Sequence, residues 1–244
     1  MAQEPYNQFN DDFSAPTDLF AAAADADARS SFIVKTYLYL LGAIAALVGI
    51  EVVMFNAFDM MRLTQVMMGG QFSWLIALGL FMGVSFIANA WALNATNPGL
   101  QHAGLALYVV AQAIILAPLL CVAQNFGGEG VIMSAGLATA ALFAALTLTV
   151  FLTRKDFAFL GSFLMFAGFA ALGFIILSIG FSFALGPIFT YLMIAFACCY
   201  ILYDTSNVLH HYRIGQHVAA SLALFASVVL LFWYILQLFM SNED

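Results

Sequence analysis

Seven long runs of apolar residues dominate the chain, at about 33–57, 71–93, 103–124, 131–152, 158–181, 187–209 and 218–240. Each matches the ~20 residues that a helix needs to cross a hydrocarbon core about 30 Å thick. None alternates polar with apolar residues, which excludes a transmembrane β-barrel. A bilayer offers no water to bond a bare backbone, so such runs must be helices. The fold class is therefore an all-α integral membrane protein, a bundle of seven transmembrane helices. Only 8% of the 244 residues are charged, against about 25% in a soluble domain. A globule built from this chain would lack a polar surface. With six basic residues and a net charge of −7, nucleic acid is excluded as a partner; the bilayer is the partner that the composition demands.

The breaks between the runs carry loop chemistry. They fall at 59–70, 94–102 (with Asn97-Pro98-Gly99), 125–130, 153–156, 182–186 and 210–217, the fifth being the weakest. Basic residues in short loops set orientation. Arg29, Lys35, Arg154, Lys155 and Arg213 share the side of the amino terminus, and Arg62 stands alone on the other. This predicts a cytoplasmic N-terminus and an external C-terminus. Residues 1–28 differ in kind: they hold six acids, among them Glu4, Asp11 and Asp18, and no base. Composition reads them as an acidic, disordered cytoplasmic tail, with residues 29–244 as the membrane domain.

An ionisable residue inside a span is a functional candidate by default. Glu51 and Asp204 are the clear cases, and Asp204 sits in a polar run, Tyr203-Asp204-Thr205-Ser206-Asn207. Counted from the helix ends, Glu51 lies near the outer face and Asp204 near the inner one, which predicts different depths and no contact. A retinal Schiff base is excluded, because Lys35 and Lys155 are the only lysines. His102, His210, His211 and His217 sit at loops or helix ends, where they can form a pH-sensitive inner cluster but not an intramembrane haem or zinc site. Cys121, Cys198 and Cys199 lack metal spacing. No nucleophile has a base beside it in a span, so no enzyme activity and no cofactor is expected. Gly161, Gly168, Gly173 and Gly180 let other helices approach closely, which predicts a central place for the fifth span.

Phe151-Leu-Thr-Arg-Lys-Asp-Phe157, together with the glycine-rich helix that follows it, resembles a segment of the Bax inhibitor-one family. Ile201-Leu-Tyr-Asp-Thr-Ser206 is similar to that family's sixth-helix pattern, and Leu224–Phe239 to its seventh. Arg29–Tyr37 and Asn97–Tyr108 extend the likeness, which covers about residues 29–240. The resemblance implies a passive, pH-sensitive calcium leak channel. In that family the pore is closed by two aspartates, one on each of the last two helices, which share a proton because two close carboxyls cannot both ionise easily. Asp204 matches the first aspartate. Ser227 stands at the second, and no acid lies between Arg213 and Glu243 to replace it.

Half a dyad implies altered gating. Asp204 would hydrogen-bond to Ser227 and make transient calcium contact, hard calcium favouring carboxylate oxygen; no firm metal site is expected. Glu51 is a candidate outer carboxylate of the same pathway. His210, His211, Arg213, His217, Arg154, Lys155 and Asp156 are candidates for pH or charge contacts at the inner mouth. The alternative reading is a non-conducting regulatory protein, such as a modulator of a membrane AAA protease. The expected location is a bacterial inner membrane, or the endoplasmic reticulum in a eukaryote.

Overall fold

The computed structural model describes residues 20–241, apart from 71, 95, 182 and 184. Its helices are α1 (Ala26–Ala57), α2 (Met60–Met68), α3 (Ser73–Ala92), α4 (Pro98–Phe126), α5 (Val131–Thr153), α6 (Leu160–Phe181), α7 (Gly186–His210) and α8 (His217–Ser241). All except α2 are long and apolar enough to span a membrane. The chain is a multi-pass membrane protein, and its seven long helices match the seven apolar runs.

Local chemistry explains where the helices start and stop. The Asp25 side chain accepts from the Ala28 amide to cap α1, and Asn97 caps α4 through Leu100, with Pro98 in the first turn, where its missing N–H costs nothing. The break at 59–70 is not simple loop. Asp59 caps a nine-residue helix, α2, which buries Met60 and Thr64. At the end of α5, Arg154 takes a left-handed conformation (φ 51°) while its amide bonds Val150 O; this turn usually falls to Gly or Asn.

The core is built around α8, which packs against α1, α3, α4, α5 and α7. In α1 the buried residues are Phe32, Thr36, Leu40, Ala43, Leu47 and Glu51, a single stripe at helical spacing that faces the bundle. In α4, Gly104 brings the backbone of α3 so close that an added Cβ would sit 2.5 Å from Ala88 O. The expectation of a central fifth span is corrected here. That span is α6, in which only Leu164 is buried and whose main neighbour is α7. Gly161 and Gly168 admit the aromatic rings of Tyr203 and Phe196, whereas Gly173 and Gly180 face open space. Small residues show that something approaches closely, not that it approaches from all sides.

Of the segment 1–28 that composition reads as tail, Glu4, Asp11, Asp12 and Asp18 lie outside the described residues. Its last part is not free chain. Phe20 pairs with Arg213 in an isolated antiparallel bridge, the Ala21 amide donates to Tyr212 O at 2.9 Å, and Ala21 is fully buried. The Arg213 guanidinium lies 5.6 Å from the Phe20 ring centroid. These contacts tie the start of the described chain to the turn between α7 and α8, and α1 already begins at Ala26.

Candidate functional site

Asp204 lies in the last third of α7, on the face that also buries Ile201, Val208 and Leu209. Antiparallel to it, α8 presents Ser227 between Leu224 and Leu231, both fully buried. Asp204 is 7% exposed and Ser227 4%, and the Ser227 hydroxyl donates to Asp204 Oδ2. Ser227 Oγ also lies 3.2 Å from Ala223 O, one turn back on α8. A hydroxyl has one proton to give, so the two contacts define two states. With Asp204 ionised, Ser227 donates to the carboxylate. With Asp204 protonated, the carboxyl can donate to Ser227 Oγ, which then donates to Ala223 O. The pair is thus a single-carboxylate unit that keeps a hydrogen bond in either form.

Aromatic groups lie near it. Tyr108 of α4 packs edge-on against Phe225 at 6.0 Å and tilted against Phe81 at 5.7 Å. Tyr108, Tyr200 and Tyr212 all lie within electrostatic reach of Asp204. Thr205, the next residue, is fully buried with its hydroxyl beside that of Tyr37 on α1.

The residues proposed for the inner mouth do not form one cluster. Asp156 is a hub at the end of α7. Its Oδ2 lies 2.9 Å from His211 Nε2, and its Oδ1 accepts from the Ala158 amide at 2.9 Å and from Ser206 Oγ at 3.3 Å. Ser206 Oγ in turn accepts from the Phe157 amide at 2.9 Å, and His210 Nδ1 lies 3.0 Å from Ser206 O. The Ala158 amide, with help from His211 and Ser206, holds the Asp156 carboxyl below its ordinary value. The loop between α5 and α6 is therefore fastened to α7 two residues beyond Asp204. His217 belongs elsewhere, in a layer with Tyr39 and His102: the Tyr39 and His217 ring centroids are 5.1 Å apart, and Tyr39 Oη is 2.7 Å from His102 Nε2. Arg213 stacks on Phe20. Arg154 lines a cleft with Arg29, and Lys155 is exposed. Sequence reasoning missed Ser206 as the fastening point and Tyr39 as the link between two histidines. The polar run around Asp204 signalled the first; nothing local signals the second, which joins three helices.

Glu51 is 7% exposed, and neither carboxyl oxygen has a hydrogen-bond partner among the described residues. Arg29 of α1 reaches Leu209 O near the end of α7; at 1.5 Å per residue Glu51 lies about 33 Å along α1 from that contact and Asp204 about 8 Å along α7, which keeps the two carboxyls at different depths. No group of three or more His, Cys, Asp or Glu among the described residues is placed to hold a metal ion.

Comparison with known proteins adds independent evidence. The family described as "Inhibitor of apoptosis-promoting Bax1" matches residues 29–244. An uncharacterized protein of Pseudomonas aeruginosa is 29% identical over 65% of this chain and 68% of its own length. Protein LIFEGUARD 4 of Arabidopsis thaliana is 30% identical over 57% of each chain. Bax inhibitor 1 of Schizosaccharomyces pombe is 34% identical over 50% of this chain and 47% of its own length. The chain thus aligns with about half the length of the two eukaryotic relatives. With the match running from the start of α1 through the whole bundle, the chain belongs to the Bax inhibitor-1 family.

Proposed function

We propose that the protein is a passive cation leak pathway, with calcium as the permeant ion and the Asp204–Ser227 contact as its gate. The observation that carries the reading is a carboxylate enclosed between α7 and α8 and held by a single hydroxyl. Its place on the helix is that of the first aspartate of the gate implied by the family resemblance. An intramembrane carboxylate marks an ion or proton route more often than a packing element, and carboxylate oxygen suits calcium. In the closed state of this proposal the Asp204–Ser227 hydrogen bond holds α7 against α8. Opening would separate α7 from α8, and Glu51, farther along α1, would be the other intramembrane carboxylate available to an ion. With one carboxylate in place of two, the like-charge repulsion of a shared-proton pair is missing, so pH coupling would be weaker than in a full dyad.

The orientation that follows from the loop charges puts the amino-terminal side in the cytoplasm. The Pseudomonas relative favours a bacterial inner membrane, with the endoplasmic reticulum as the eukaryotic counterpart. Calcium influx into liposomes loaded with an indicator tests the proposal: folded protein must pass calcium faster than empty liposomes do, and equal rates would overturn it.

A second reading, a non-conducting regulator of a membrane protease or another membrane protein, draws on the missing aspartate and on relatives named for anti-apoptotic roles. Deletion of residues 1–19 separates the two: a regulator that binds through its acidic tail would lose its effect, whereas a leak pathway would keep its flux.

A further inference from the structure

On the amino-terminal side, a cleft of about 550 Å³ opens between the start of α1 and the end of α5. Arg29, Ser30 and Arg154 form its polar part, and Ile33, Val34 and Phe151 its apolar part. Arg29 is anchored by a contact of its Nη2 with Leu209 O, 3.4 Å away in the last turn of α7, where a cation is favoured. Arg154 projects from the left-handed turn that ends α5, a position where Gly or Asn is usual. The free amides of α1 are not the attraction, because Asp25 already caps Ala28 N. Below the arginines the apolar lining runs into exposed residues on both helices: Val34, Leu38 and Leu41 on α1, and Leu148 and Leu152 on α5. In a membrane protein these faces meet acyl chains.

We infer that this cleft binds one anionic phospholipid, with the phosphate between Arg29 and Arg154 and an acyl chain along the Val34–Leu38–Leu41 stripe. Guanidinium forks match phosphate oxygens in pairs, and basic pockets between transmembrane helices commonly take lipid headgroups. An apolar track continuous with the bilayer face favours a lipid over a free phosphate, which has nothing to place there. The site is separate from the Asp204 unit, though Arg29 reaches the end of the same helix. Lipid occupancy would therefore brace the last turn of α7 against α1 and α5.

Native mass spectrometry of the full chain in detergent tests this, with phosphatidylglycerol and phosphatidylcholine titrated in parallel. The expected result is preferential retention of one phosphatidylglycerol, weakened about fivefold for each arginine removed in Arg29→Gln and Arg154→Asn. Asn is chosen at 154 because it tolerates the left-handed turn. Val34→Trp, which fills the apolar track without changing charge, should weaken the same binding. It and Arg154→Asn decide the matter if Arg29→Gln fails to fold. Lys155→Gln, on the same loop but outside the cleft, should leave binding unchanged. The proposal is overturned if the two lipids bind equally, if Lys155→Gln loses as much as Arg154→Asn, or if Val34→Trp binds as wild type. Displacement of the lipid by glycerol phosphate at equal concentration would also overturn it, by showing that phosphate alone is recognised.

Discussion

Ser227→Ala removes the one side-chain hydrogen bond that Asp204 makes among the described residues and leaves its carboxyl buried. Leaving a buried acceptor unsatisfied costs about 1–3 kcal/mol in soluble proteins. Hydrogen bonds between transmembrane helices average nearer 0.6 kcal/mol, because the unfolded chain in a membrane also finds partners. Enclosure on all sides and the absence of a second described partner put this site toward the upper part of that membrane range, at about 1–1.5 kcal/mol. For a chain of this size that is a fall in Tm of about 3–5 °C. The single variant alone is ambiguous, since Ser227 also touches Ala223 O. The decisive quantity is the coupling in a cycle of Ser227→Ala, Asp204→Ala and the double variant, measured by thermal unfolding in one detergent at about pH 7. A coupling of about 0.5–1.5 kcal/mol is expected for residues in direct contact. Additivity within about 0.3 kcal/mol would refute the reasoning, because it would mean that the hydroxyl and the carboxyl do not hold each other.

The geometry sets further expected outcomes. Gly104→Ala drives a methyl into the backbone of α3, 2.5 Å from Ala88 O and 2.8 Å from Ala92 N, and should cost about 1–3 kcal/mol. Gly79→Ala, which meets nothing within 4 Å, should leave Tm unchanged or slightly raised in the same assay. Asp156 is held below its usual 3.8; a depressed carboxylate stabilises the fold above that value and loses this contribution as pH falls through the folded value. Asp156→Asn should therefore unfold earlier than wild type at about pH 7, with the gap closing below about pH 4, and a gap independent of pH would count against the hold that the Ala158 amide, His211 and Ser206 have on the Asp156 carboxylate. Glu51→Leu replaces two buried oxygens that have no hydrogen-bond partner among the described residues by apolar surface, so it should raise Tm by an amount worth about 1 kcal/mol; a fall in Tm would mean that the carboxyl has an unrecognised partner.

The spans were legible because each is a run of apolar residues of the length that a bilayer requires, and without the alternation of a closed barrel only a helix satisfies such a backbone in lipid. The helix α2 was not, although Asp59 is a sound cap, because nine residues carry too short a pattern to stand out from a loop. Asp204 was legible as an ionisable residue in a span, and Ser227 through its place in the seventh-helix pattern. Spacing could not show that the histidines divide into two groups. That division depends on which helices are neighbours: α1, α4 and α8 meet at Tyr39, whereas α7 meets the α5–α6 loop at Ser206. Glycine spacing in α6 likewise announced a close contact but could not reveal that α7 alone makes it.

Calcium influx into indicator-loaded liposomes, wild type beside Asp204→Asn from about pH 6 to 8, tests the central claim most directly. Asn keeps the shape and a hydrogen bond to Ser227 while removing the charge, so a folded variant isolates the carboxylate itself. The account expects flux through the wild type and its loss in Asp204→Asn across the whole range. Equal flux in the two proteins would contradict it, because the ions would then be crossing by a route that does not depend on Asp204.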